Sequence, residues 1–421
     1  MIKVLEAFSG IGAQAKALER QKIAHKIINT VDWDINAIVA YDIIHNGKQD
    51  LSTYEKLSKK DLIAELSKYT LSPDGKNAYQ NGDISHVNIA GLRSVLAAIK
   101  RSHNLVSITD MTYNNIPEDL DLFTYSFPCQ DLSIAGVWHG NMSGIDRDAH
   151  NRSGMLWEVE RILKDCVEHN RNKPKILLME NVSNILAPRH MGNFQEWINY
   201  LGEIGYYNKI YKLNAKRFGI PQNRTRVFML SVYIGGDDNK KTALKNYFND
   251  HNLESDDYVN TLPLKRLTIK DILRTDYSNP HYLEEANESQ LNDTESRQKI
   301  IEENDHIYEE TTKEYIAEIK TITTKQDRNP NSGVISYRTG IAGKADYRYL
   351  TARECFIAMG FDEEDFDRLM DNNIMLGKNR PMFSLGKLIK MAGNSIVVNV
   401  LEAIFIQVDE IDRMFFNGIW R

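Results

Sequence analysis

The chain opens with an apolar run, KVLEAF, that breaks at SGIG and resumes as AQAKALERQ, a segment of helix-forming composition. This pattern predicts a strand, a glycine turn and a helix. KIINTVDWD reads as a second strand ending in acid and DINAIVAYDII as a second helix, while NGDI, DLFTYSFPC and KILLMENV offer further strand ends. Apolar runs alternating with helical segments predict an α/β fold of the doubly wound, Rossmann-like kind, a parallel sheet covered by helices on both faces. Ligands in such folds sit at the carboxyl ends of strands. SGIG, VDWD, NGDI, SFPCQ and MENV all fall there, so one cleft is expected to collect them.

Two polar stretches, 46–80 and 86–116, separate these strands and read as helical additions or loops. From about residue 233 the pattern dissolves. YIGGDDNKK reads as a linker, and the acidic region beyond it has no clear period, with a helix expected somewhere in 296–320. LTARECFIAMGF and MAGNSIVVNVLEAIFIQV then restore apolar order, the second reading as a helix opened by Gly393, Asn394 and Ser395. No internal repeat or low-complexity tract is present.

At roughly 150 residues per domain, a length of 421 suggests two or three domains. Three cysteines, Cys129, Cys166 and Cys355, make no disulfide framework, and no Cys/His spacing suits zinc, so a reducing compartment and no metal are expected. Without an apolar run of about 18 residues, the chain reads as a soluble cytoplasmic protein that makes no use of a membrane. A net charge of −6 argues at first against a nucleic-acid partner. However, residues 251–320 hold 17 Asp/Glu against 8 Lys/Arg, which leaves the remainder at +3. Attraction to phosphates depends on the local field, so an acidic lobe is compatible with a basic cleft.

Gly10 and Gly12 would let backbone approach a ligand where a Cβ would clash. SGIG falls short of a full GxGxxG, and by itself reads more readily as an ordinary tight turn than as a cofactor loop. Asp32, 22 positions after Gly10 at the next strand end, suits an acceptor for ribose hydroxyls. Asp83 in NGDI is a third strand-end acid or a turn aspartate. Cys129 follows Pro128 among polar residues, which suits an exposed nucleophilic thiol, whereas Cys166 and Cys355 suit packing. Glu180 leaves an apolar strand directly into Asn181 and is either a turn residue or a catalytic acid raised by desolvation. QNRTR sets Gln222, Arg224 and Arg226 two apart, on one face if extended, as an edge strand or as a wall for an anionic substrate.

FSGIG, SFPCQ, ENV, QNRTR and GNS, in this order and these contexts, resemble the DNA (cytosine-5)-methyltransferases, particularly the bacterial restriction-modification type. The likeness covers about 3–232 and 345–410. It implies a catalytic domain over 1–232 that binds S-adenosylmethionine, a smaller target-recognition domain over 233–390, and a segment 391–421 returning to the catalytic domain. Double-stranded DNA would lie between the two domains, and a monomer paired functionally with a restriction endonuclease would be in keeping with the type. By motif, Phe8, Gly10, Ile11 and Gly12 are similar to the methionine-side loop, Asp32 and Trp33 to the ribose and adenine contacts, and Asp83 with Ile84 to the adenine edge. Asn394 and Ser395 would close the cofactor pocket. Cys129 is similar to the family nucleophile, Glu180 to its acid, and Gln222, Arg224 and Arg226 to the groups near a flipped base. The loop after Cys129, with Gly136, Gly140, Gly144 and Gly154, would close over DNA. An RNA cytosine methyltransferase and a non-catalytic DNA-binding homologue are the competing readings. The long unmatched region favours DNA over RNA, and intact Cys129, Glu180 and Arg226 favour catalysis. Against compact members, the spacings Asp32 to Asp83 and Asp83 to Cys129 are long, which marks the two polar stretches as insertions.

Overall fold

The computed structural model describes residues 1–80, 83–128, 145, 147 and 152–416. Its main sheet contains β1 (Ile2–Ala7), β2 (His25–Val31), β3 (Leu122–Tyr125), β4 (Ile176–Val182), β5 (Tyr206–Asn214) and β7 (Thr225–Tyr233), in the order β2-β1-β3-β4-β7-β5. The two-residue β6 (Gln222–Asn223) lies outside it. β2, β1, β3 and β4 are parallel, as expected, but β7 runs antiparallel to both β4 and β5. The sheet is therefore mixed. No crossover helix separates β5 from β7, and a parallel return would require one.

Strand alternation feeds two cores. Val4, Ile176 and Leu178 face one side, while Leu5, Phe123, Leu177 and Met179 face the other. On the first side lie α1 (Ala13–Arg20), α2 (Ile35–Asn46), α3 (Lys59–Leu66) and α4 (Ile89–Arg101), which bury Leu18, Ile38, Leu62 and Val95. On the other, α5 (Leu156–Glu168) and α6 (Pro188–Glu203) bury Leu163, Cys166, Phe194 and Trp197.

Asp83 and Ile84 form no strand. Asp83 is exposed and accepts the N–H of Ser85 at 2.8 Å in a turn, and Ile84 is buried in the core. The place beside β2 belongs to Asn104 and Leu105, where the Leu105 N–H meets the Thr30 carbonyl at 2.8 Å. The physical reason is that NGDI offers one apolar side chain to the sheet, whereas Val106 and Ile108 bury two just after Leu105.

The expected linker turns at Gly235 and Gly236 and at once starts the helix Asp238–Asp250, capped by Asp237. A second sheet follows from β8 (Gln290–Asn292), β9 (His306–Glu309), β10 (Glu314–Tyr315), β12 (Val334–Ser336) and β13 (Lys344–Arg348), in the order β10-β9-β12-β13-β8. Between them, β11 (Ile319–Lys320) leaves this sheet and pairs with β6. The helix expected within 296–320 occupies only Glu295–Glu303.

Residue 390 lies inside the helix Leu385–Asn394, and the helix Glu363–Asp371 already packs on α2. Gly393, Asn394 and Ser395 end one helix rather than open the next, which is Val398–Phe415. The stretch Leu385–Phe415 is long and apolar enough to cross a membrane, but 83% of its most apolar window is buried inside the fold.

Arg348, at the end of β13, forms a two-pronged pair with Glu354 at 2.7 and 2.8 Å, both side chains fully buried. This pair pins the second sheet to the returning helix Ala352–Ala358. Removing one partner strands a buried charge, so Arg348→Met is expected to cost about 3–5 kcal/mol of stability. Adding Glu354→Leu should recover much of that loss, as read from urea unfolding of the two single variants and the double variant.

Candidate active site

At the carboxyl edge of β1 the chain turns through Phe8 and Gly10, both with left-handed φ (58° and 54°), and lines a cavity of about 330 Å³. Among the described residues, no atom beyond its two chain neighbours stands within 4 Å of where a Gly10 Cβ would lie. Gly12 differs. At φ 78° its Cβ would fall 2.1 Å from His45 Nε2 and 2.7 Å from the Tyr41 ring, so α2 demands glycine there, and Gly12 itself does not line the cavity. Ile11 does. Asp32, at the end of β2, accepts the N–H groups of Gly10 and Asp34, each at 2.9 Å, and so fixes the glycine turn. Burial, reinforced by the neighbouring Asp34 carboxylate, pushes Asp32 up to about 6, against the pull of those two N–H groups and of Lys390. Each carboxylate oxygen still has a lone pair to offer. Trp33, Ser107, Ile108 and Thr109 continue the wall, and Asn394 and Ser395 close it from the far end of the chain.

The same cavity reaches the ends of β3 and β4, where Phe127, Pro128, Glu180 and Arg226 line it. Cys129 lies outside the described residues, as do Gly136, Gly140 and Gly144; Pro128 immediately precedes Cys129. Asn181 is buried and donates Nδ2 to the Phe127 carbonyl at 3.1 Å, which ties the approach to Cys129 to β4. The preceding residue, Glu180, meets Arg226 Nε at 3.4 Å. Burial raises its carboxyl above the ordinary value, with Arg226 and then Arg224 opposing, so the acid has reason to hold a proton.

QNRTR does not act as one wall. Gln222 is fully buried away from the cavity, donating to the Ala358 carbonyl at 2.8 Å and accepting the Ile322 N–H at 3.1 Å. Arg224 lines the cavity, and its guanidinium gathers the carbonyls of Ile322 (3.1 Å), Gly393 (3.1 Å) and Ser395 (2.8 Å). Gly393 packs so closely that a Cβ would sit 2.6 Å from the Thr323 and Thr324 backbone. Gln222 and Arg224 thus bolt the β11 segment to the cavity rim, and Arg226 pairs with the acid. The reason is a change of direction: β6 pairs with β11 before β7 enters the main sheet, so the three side chains do not share one extended face.

Asp83 and Ile84 are not part of the cavity. Their expected place is taken by Ser107 and Ile108, whose signal was the apolar run NLVSI ending in Thr109 and Asp110. Lys390, bonded to Asp34 at 3.1 Å, and Asn181 went unmarked because each gains its role only from a partner distant in sequence. Cys166 and Cys355 are fully buried, and burial pushes the Cys166 thiol up to about 11, which suits packing. Among the described residues no group of three or more His, Cys, Asp or Glu is placed to hold a metal.

Residues 88–410 match the model of the C-5 cytosine-specific DNA methylases. The orphan methyltransferase M.SssI of Spiroplasma monobiae is 34% identical over 412 residues, covering 96% of each chain. The type II methyltransferase M2.ScrFI of Lactococcus lactis subsp. cremoris is 32% identical over 411 residues, covering 96% of this chain and 98% of that one. Among solved structures, the S. pombe Dnmt2 methyltransferase has a TM-score of 0.58 at 18% identity, over 97% of this chain and 99% of that one, a likeness of fold. The chain belongs to the C-5 cytosine-specific DNA methylase family, and its reaction is the methylation of cytosine in DNA at carbon 5.

Proposed function

We propose that the protein methylates a cytosine flipped out of a specific duplex DNA site, as the cytoplasmic, monomeric modification enzyme of a restriction-modification system. One observation carries this reading: a single cavity joins the strand-end acid Asp32 to the Glu180–Arg226 pair and to Pro128, the neighbour of Cys129. The residues present fit S-adenosylmethionine. Trp33, Val31 and Ile108 offer apolar surface for an adenine, Asp32 offers buried lone pairs for ribose hydroxyls, and Phe8, Gly10 and Ile11 leave room for the amino-acid end. Asn394 and Ser395 close that pocket. When bound, S-adenosylmethionine supplies the electrophilic methyl group that carbon 5 accepts.

The protein's own part is to make carbon 5 nucleophilic. The Cys129 thiolate adds to carbon 6 of cytosine, and the electron pair displaced from the 5,6 double bond moves through the ring toward nitrogen 3. Protonated Glu180 meets that charge, held in place by Arg226. Such acid assistance contributes typically about 10²–10⁴-fold. Loss of the carbon-5 proton to a base then restores the double bond and expels the Cys129 thiolate. A thiolate must approach carbon 6 from above the ring, which a stacked duplex forbids, so the base must leave the helix.

Target recognition belongs, in this reading, to the second sheet and its flanks, between the helix Asp238–Asp250 and Ala352. In this reading the unit is shorter than the 233–390 suggested by the sequence, since the helix Glu363–Asp371 packs on α2 and the helix Val398–Phe415 on α1. The β6–β11 pairing and the Gln222 and Arg224 bonds fix it against the catalytic cavity. Transplanting residues 233–345 from a relative with another target should move methylation to that relative's site, as read by bisulfite sequencing. An active chimera that kept the original site would return specificity to the catalytic region.

Asp32→Ala removes charge-assisted hydrogen bonds worth about 1.5–3 kcal/mol and should weaken S-adenosylmethionine binding about 10- to 100-fold. Because the free Asp32 carboxyl titrates at about 6, wild-type affinity should fall as pH drops through that value, and calorimetry on Asp32→Asn should show that dependence gone. Duplex DNA with 5-fluorocytosine at the target cannot lose the carbon-5 substituent, so with cofactor present it should leave a denaturant-resistant adduct. Mass spectrometry should place that adduct on Cys129, in Cys166→Ser and Cys355→Ser as in wild type, and find none in Cys129→Ser. The same oligonucleotide made as RNA should not trap the enzyme.

A further inference from the structure

The first polar insertion folds back over the cavity rather than projecting from it. Ser72 joins the end of β2 through its N–H to the Trp33 carbonyl at 2.8 Å and through its carbonyl to the Ile35 N–H at 3.0 Å. Leu71 and Ser72 are buried, and Thr70 and Gly75 line the cavity beside Asp32, Trp33 and Asp34. Gly75 has φ +65°, and a Cβ there would fall 2.9 Å from Asp34 Oδ2. Asn36 Nδ2 donates to the Pro73 carbonyl at 3.0 Å, and Lys390, from the returning helix, donates to the Asp74 carbonyl as well as to Asp34. On the other side, the Thr70 hydroxyl donates to Asp110 at 3.2 Å, just past the cavity-lining Ser107–Thr109.

Both ends of the segment are therefore tied to walls of the same pocket, one at the end of β2 and the other at Asp110. We propose that residues 70–75 form a strap across the adenosine end of the cofactor site, supplying its outer wall and controlling the rate at which S-adenosylmethionine enters and leaves. This rests on the cofactor reading above and assigns the insertion a role in it. The strap contributes to holding the cofactor and not to the chemistry at Glu180, which lies at the far end of the cavity. Lys390 joins the strap to the helix that carries Asn394, so the outer wall and the closing residues brace one another.

The test is Gly75→Val, which forces the strap away from Asp34, with Thr70→Val, which removes the tie to Asp110 at an exposed position, as the milder second variant. Stopped-flow displacement of S-adenosylmethionine should show release about tenfold faster in Gly75→Val and faster by a smaller factor in Thr70→Val. KM for the cofactor should rise in step, with kcat at saturating cofactor and affinity for DNA unchanged, a split that general misfolding would not produce. Release at the wild-type rate in a folded Gly75→Val, with Asp32→Ala weakened, would overturn the strap alone. Wild-type binding in both Gly75→Val and Asp32→Ala would overturn the cofactor reading beneath it. Should Gly75→Val fail to fold, Thr70→Val decides, since unchanged release there leaves the strap without a function.

Discussion

Lys16, on α1, reaches two carboxylates some 350 residues further along the chain, Asp362 and Asp365, each at 2.9 Å. Arg20, one turn on, pairs with Glu402 at 3.2 Å and donates to the Gly360 carbonyl at 2.6 Å. These charges lie at the edge of the apolar seam between α1 and the helix Val398–Phe415, and the seam and its ion pairs depend on each other. Apolar burial supplies the larger share of the energy, while buried charges that must find their partners fix the register. Without that register Asn394 and Ser395 would not meet the turn at Gly10, and the cavity would lack a wall.

Much of the main sheet was legible in the sequence because its strands bury both faces. KVLEAF, LFTY and KILLM are short apolar runs bounded by turns. Glu180 was readable as the acid at the end of KILLM and Asp32 as the acid that follows the second strand, whereas Arg226, near the start of β7, was readable only from the QNRTR motif. What escaped notice was whatever depends on a partner distant in sequence. Asp83 has the composition of a site residue, but Ile84 beside it is buried and the two sit in a turn, while the less conspicuous Ser107 and Ile108 line the cavity. Gln222 and Arg224 belong to a short pairing with β11, a strand of two residues that no periodicity could reveal.

Glycine shows a similar division of labour within three residues. Gly10 faces open space at the cavity, where a small residue keeps room for a ligand, while Gly12 is required by the ring atoms of Tyr41 and His45 on α2. One motif thus satisfies two constraints, one set by the ligand and one by packing. Asp32 links them, since its carboxylate holds the Gly10 amide while remaining available to a hydroxyl. If Asp32 also binds the cofactor as proposed, the loop that it fixes is preorganised, with little left to reorder on binding.

The dependence of α1 on Val398–Phe415 also sets an order of events during synthesis. At about 5–20 residues per second, the ribosome needs roughly 20–80 seconds between exposing α1 and completing the helix that covers it. For that interval the apolar seam of the amino-terminal half is uncovered, and Lys16 and Arg20 have not yet met Asp365 and Glu402. The charges on α1 then act as temporary solubilising groups on a nascent chain, Lys16 until Asp362 and Asp365 arrive and Arg20 until the helix Val398–Phe415 brings Glu402.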